Sequence, residues 1–174
     1  KLEKELINYE SNKQGEFGII HGDPVFSNVL IDKIGNIKLI DPRGTIGNQT
    51  SIYGDIFYDY AKIYQSLIGY DEVMQNKTIS DTYRKELIDA FTRFIVNNFN
   101  ENTMKNIVNI TNSLLFTLLP LHNNDKCKDY FNLIKGEWCG RNKIVELCKR
   151  WLFKSKSWEQ SKMLIINFIL VSVE

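Results

Sequence analysis

Cysteine is scarce in this chain, with three among 174 residues, Cys127, Cys139 and Cys148. The number is odd, and no C-x-x-C pair or zinc-type Cys/His spacing occurs, which argues against a disulfide framework and a structural zinc site. The expectation is reduced thiols in a cytosolic protein. Excess charge of either sign is also missing. With 22 Lys and Arg against 21 Asp and Glu and a formal charge of +1, the composition gives no footprint for nucleic acid or for an anionic membrane surface. Long apolar runs are absent: the longest, Met163 to Val171, is interrupted by Asn167 and falls well short of the ~20 residues of a bilayer span. No secretory signal opens the sequence, so the expected compartment is the cytoplasm. Glycine-rich phosphate loops are lacking too, since neither G-x-G-x-x-G nor a Walker A pattern occurs.

What is present is the composition of a folded domain: 43% apolar and 25% charged residues. The length favours one domain over residues 1–174. Leu2 to Tyr9 carries a short helical pattern, and Phe17 to Ile20 is a brief apolar stretch. Val29 to Ile31 and Ile37 to Ile40 are β-branched and apolar around a Gly35-Asn36 turn signal, which predicts a β-hairpin. Residues 42–51 are loop formers. Helices dominate afterwards, with one apolar face at Ile56, Tyr60, Ile63, Tyr64 and Leu67. A second face runs through Tyr83, Leu87, Phe91, Phe94 and Ile95, with Ser80 or Asp81 as N-cap. Thr103 to Leu119 reads as a central buried helix ending at Pro120, and Asn142 to Phe153 and Glu159 to Val173 as two more. The expected fold class is mainly α with a small β-hairpin (α+β), a helical bundle. Trp138, Trp151 and Trp158 read as core, and His122 to Asp125 as a polar interhelical loop.

The densest chemistry lies in His21-Gly22-Asp23-Pro24-Val25-Phe26-Ser27-Asn28, followed by the hairpin and by Ile40-Asp41-Pro42. If Ile34 and Gly35 face each other at the turn, Asn28 lies directly across from Asp41. A two-residue turn at Gly35-Asn36 instead pairs Leu30 with Asp41 and leaves Asn28 one step away on the same face. Opposed antiparallel residues have Cα atoms about 4.5–5.5 Å apart, close enough for both side chains to reach one Mg²⁺. Asn28 and Asp41 are therefore candidate metal ligands. Asp32 is expected near the turn, in solvent.

Asp23, the Asn five residues on and the Asp eighteen residues on form a spacing that resembles the aminoglycoside phosphotransferase and choline kinase family of the protein-kinase-like superfamily. Gly54-Asp55-Ile56-Phe57-Tyr58-Asp59-Tyr60-Ala61 looks like a further family segment, so the resemblance covers residues 17 to 65. It implies a kinase-like C-terminal lobe, with Asp23 as catalytic base and Asn28 and Asp41 holding Mg²⁺. His21 and Asp59 would brace the catalytic loop, and Arg43 is a candidate contact to a phosphate or anionic substrate. The implied cofactors are ATP and Mg²⁺. The implied activity is transfer of phosphate to a hydroxyl of a sugar, amino alcohol or aminocyclitol, in bacterial surface-sugar metabolism. Few residues precede the motif and the first is Lys, so the N-terminal ATP lobe of a parent chain is an expected partner, beside the small-molecule acceptor. Two rival readings use the same residues: a non-catalytic kinase-like binding or regulatory module, and a metal-dependent phosphohydrolase.

Overall fold

A computed structural model describes residues 1–46, 49–78, 81–119 and 124–134. In chain order the elements are α1 (Leu2–Ser11), β1 (Phe17–Ile19), a 3₁₀ turn (Phe26–Asn28), β2 (Val29–Ile31), β3 (Ile37–Leu39), β4 (Thr45–Ile46), β5 (Gln49–Thr50) and β6 (Tyr53–Asp55). Helices follow: α2 (Ile56–Leu67), α3 (Tyr70–Gln75), α4 (Asp81–Asn98), α5 (Glu101–Leu118) and α6 (Asn124–Leu133). The described residues adopt the expected mainly α class with a small β-hairpin, β2–β3, and add two further two-stranded pieces. The helices expected at Asn142–Phe153 and Glu159–Val173, the three Trp, Cys139, Cys148 and His122 lie outside the described residues.

The core forms where α2 lies along α5. Ala61 is fully buried, and its small side chain lets the two helices approach until the Thr111 hydroxyl donates to the Ala61 carbonyl at 3.0 Å. Around that contact pack Phe57, Tyr58, Tyr64 and Leu67 from α2 and Ile107, Ile110, Leu114 and Leu115 from α5. Asn100 caps α5 by accepting from the Thr103 amide at 2.9 Å, supplying an acceptor to an otherwise orphaned helix-start donor. α4 meets this core along Leu87, Ile88, Phe91 and Ile95, with Ile95 fully buried. Two residues expected on that face are not in the core. Tyr83 lies a turn before the contact line and is 54% exposed, while Phe94 stands beside the line at 47%, its ring 6.0 Å from that of Tyr60.

The β structure consists of three antiparallel two-stranded pieces, β1 with β6, β2 with β3 and β4 with β5. Phe17 to Ile20, expected only as an apolar stretch, supplies β1, which pairs Gly18 with Gly54. Such thin sheets cannot bury both faces, and most of the exposed large apolar side chains lie here, including Phe17, Ile19, Leu30, Ile31, Ile37 and Tyr53. Among the described residues no helix is long and apolar enough to cross a membrane.

Asp55 joins the sheet to the helices. It caps α2 by accepting from the Phe57 amide at 3.0 Å, accepts from the Glu16 amide at 3.2 Å, and receives the Tyr9 hydroxyl, tying α1 to the body. Burial pushes its carboxyl above the ordinary range, although the Tyr9, Phe57 and Glu16 donors pull the other way. Where the folded chain holds this proton more tightly than the unfolded one, stability falls as pH rises. Urea unfolding of wild type and Asp55→Asn should therefore show a wild-type advantage that is largest below ~3.9, the ordinary Asp value, and shrinks as pH rises above it. An advantage that grows with pH would contradict this.

Candidate ligand site on the 21–28 loop

After β1 the chain leaves the sheet. Ile20 still donates to Ile52 at 2.9 Å, but the following amides have no strand beside them, and buried amides need acceptors. Side chains of α2 supply them. Asp55, Asp59, Lys62 and Ser66 recur at helical spacing, so they share one face of α2, opposite the apolar one. The two Asp59 oxygens take the amides of His21 at 2.6 Å and Gly22 at 2.9 Å. Lys62 Nζ meets Asp23 Oδ1 at 3.0 Å. Ser66 Oγ accepts from the Phe26 amide at 3.0 Å, and Asp71 at the start of α3 accepts from that of Ser27 at 3.3 Å.

His21 closes the loop from the other side. Its Nδ1 accepts from the Asp23 amide at 3.3 Å and its Nε2–H donates to the Ile40 carbonyl at 3.0 Å, which defines the neutral tautomer with Nε2 protonated. The His21 carbonyl accepts from the Arg43 amide at 2.8 Å. Gly22 has φ of +82°, and a Cβ there would lie 2.7 Å from the Arg43 Cβ, so both backbone conformation and space require glycine. Arg43 is thereby held against the loop, and its Nη1 donates to the Tyr58 hydroxyl at 2.9 Å.

The hairpin register differs from both expected pairings. Val29 pairs with Leu39 and Ile31 with Ile37, so Asn28 faces Ile40, whose amide donates to the Asn28 carbonyl at 3.0 Å. Asp41 lies one residue beyond that partner. The cause is Asp32: exposed as expected, its carboxylate also gathers the amides of Ile34 at 2.9 Å and Asn36 at 2.8 Å and the Asn36 side chain at 2.7 Å. Those bonds, with Gly35 at φ +89°, enlarge the turn to the stretch between Asp32 and Asn36. Asp41 itself takes the left-handed φ of 59°, a conformation that Asp tolerates better than most residues.

Asn28 Nδ2 donates to the Asp23 carbonyl at 2.9 Å, which leaves Oδ1 as the free end of the amide. Asp41 is exposed and its carboxylate bonds to no described residue. Four carboxylates, Asp23, Asp41, Asp59 and Asp71, surround the loop against the two cations Lys62 and Arg43. Burial raises Asp59, with the His21 and Gly22 amides opposing. Burial pulls the Lys62 ammonium down, but Tyr58, Asp23 and Tyr70 more than offset it, and Lys62 ends above its ordinary value. Lys62, Ser66 and Asp71 were not among the residues singled out from sequence. The signal that would have found the first two is the polar stripe with Asp55 and Asp59 on an otherwise apolar helix.

Comparison with known proteins supplies the family. The model of the family Seadornavirus VP7 matches residues 4–136, which include the loop, the hairpin, α2 and α5. The chain belongs to the Seadornavirus VP7 family. No curated protein and no solved structure matches it.

Membership of this viral family overturns the resemblance to aminoglycoside phosphotransferases and choline kinases. The phosphotransferase function goes with it, as do its rival kinase-like and phosphohydrolase readings, the bacterial surface-sugar setting and the assignment as an enzyme. The resemblance rested on a few polar residues at fixed spacing, and these have structural work here. Asp23 is ion-paired with Lys62 and Asn28 fastens the Asp23 carbonyl. The role of Asp23 as catalytic base falls with the enzyme assignment.

The anchoring of the loop to α2 has a measurable size. Asp59→Ala removes a charged acceptor from two amides and should lower unfolding free energy by roughly 2–4 kcal/mol in urea, whereas Ser66→Ala should cost about 1 kcal/mol. Equal, small effects from both would count against the anchoring.

Proposed function

We propose that the 21–28 loop binds a phosphate-bearing ligand through one divalent cation, without making or breaking a bond. Asn28 Oδ1 and Asp41 are the protein ligands of the cation. The observation that carries this reading is the Asn28 Nδ2 bond to the Asp23 carbonyl, which occupies the amide nitrogen and leaves its oxygen available, with Asp41 one residue beyond the partner position of Asn28 in the hairpin.

The donor set suits Mg²⁺ better than Ca²⁺. Among the described residues no three His, Cys, Asp or Glu side chains gather around a point, so they offer no carboxylate-rich cage of the kind Ca²⁺ favours. Mg²⁺ keeps its waters and is commonly held by one or two protein oxygens, with phosphates completing the shell. Charge supports the same reading. Four carboxylates against two cations leave the loop with a net negative charge, which repels a free phosphate group, and a divalent ion offsets that excess. Ligand binding should therefore depend on metal. Mg²⁺ and ATP, the pair expected from sequence, enter only as this binding ligand, with pyrophosphate the simpler probe.

Calorimetry should detect pyrophosphate binding only when Mg²⁺ is present, and Asn28→Ala and Asp41→Ala should each weaken it by about tenfold or more. Binding of equal strength without metal, or unchanged in both variants, would refute the proposal.

A further inference from the structure

The Lys62–Asp23 pair joins two unequal partners. The Lys62 side chain is 16% exposed and that of Asp23 is 41%. The lysine is therefore the more buried partner, and although the Asp23 Oδ1 that meets it is also buried, the rest of that side chain reaches solvent. We infer that Lys62 is the anion contact of the site, covered by Asp23 until a ligand phosphate takes the carboxylate's place. The inference rests on the cation–phosphate reading above and adds to it a named residue for the anionic side of the ligand.

The exchange is physically cheap in one direction only. A nearly dehydrated ammonium needs a negative partner, and removing that partner without replacement is costly. Replacing Asp23 by a phosphate oxygen keeps the charge compensated, while the displaced carboxylate gains water. The charged and titratable groups around Lys62 favour a retained positive charge: Asp23 on the loop, Tyr58 one turn earlier on α2, and Tyr70 on α3. Tyr58 also links the second cation, since its hydroxyl accepts from Arg43 Nη1 at 2.9 Å. Arg43 is in turn held over Gly22, beside Asp23. Lys62 and Arg43 thus flank one phenol on the α2 side of the loop, and Asn28 and Asp41 lie on its hairpin side. An anion with one group on the cation and another on Lys62 would use both.

Asp23 then acts against the ligand, which distinguishes this arrangement from a purely structural ion pair. On the full chain with Mg²⁺, pyrophosphate affinity should fall by about tenfold in Lys62→Met and rise several-fold in Asp23→Asn, where the lysine is uncovered; Lys62→Arg should stay within about threefold of wild type. Affinity for Mn²⁺ alone should stay within about twofold in Lys62→Met, because the metal ligands are untouched. Should Lys62→Met fail to fold, the rise in Asp23→Asn still decides. The Asn28 bond goes to the backbone of residue 23 and survives that change. Weaker binding in Asp23→Asn, or unchanged binding in Lys62→Met, overturns the role of Lys62 and leaves the cation reading standing if Asn28→Ala still weakens binding. No binding of pyrophosphate to wild type at any Mg²⁺ concentration overturns both.

Discussion

Four backbone amides between His21 and Ser27 find their acceptors in side chains of α2 and α3 rather than in a neighbouring strand, and the amide of Glu16 finds its own in Asp55, where β6 passes into α2. Asp55, Asp59, Ser66 and Asp71 take them in chain order, with Lys62 gripping Asp23 midway. The loop and α2 therefore run side by side, and the loop is only as well ordered as the helix. Each buried amide left without an acceptor would cost about 1–3 kcal/mol, so the arrangement is worth a large fraction of a domain's net stability. The α2–α5 packing fixes the helix, the helix fixes the loop, and the loop sets where Asp23 and Asn28 stand relative to Asp41.

The same helix serves two environments because its spacing separates them. Phe57, Ala61 and Tyr64 turn to the core, while Asp55, Asp59, Lys62 and Ser66 turn to the loop. The sheets have no such second layer, and Ile19, Ile31 and Ile37 remain more than two-thirds exposed. Polar groups are thus buried where the loop meets the helices, and apolar groups are exposed along the strands. This inversion of the usual rule makes the loop a built feature rather than a surface turn.

Much of this was legible in the sequence, for physical reasons. Thr103 to Leu119 stands out as a central helix because apolar residues line most of it, and it is α5 in the structure. The hairpin was visible in its β-branched runs, yet its register was not, because the Asp32 carboxylate enlarges the turn and no propensity encodes that choice. α3 is too short to show a pattern, and α6 is obscured by its start at Asn124-Asp125, which reads as a polar loop. The spacing of Asp23, Asn28 and Asp41 marked the polar site but suggested the wrong family, as a few fixed positions constrain a loop's shape more than its chemistry. Lys62 resembles a surface lysine until it is set in one stripe with Asp55, Asp59 and Ser66, and its partner Asp23 lies across the fold.

The most direct test of the whole account is native-state hydrogen exchange at the amides of His21, Gly22 and Phe26, compared with that of Ala61 in the buried face of α2. If the loop hangs on the helix, these amides should open together with it, with free energies within about 1 kcal/mol of the Ala61 value. Near-unprotected exchange at all three, beside a protected Ala61, would contradict the dependence of the site on α2.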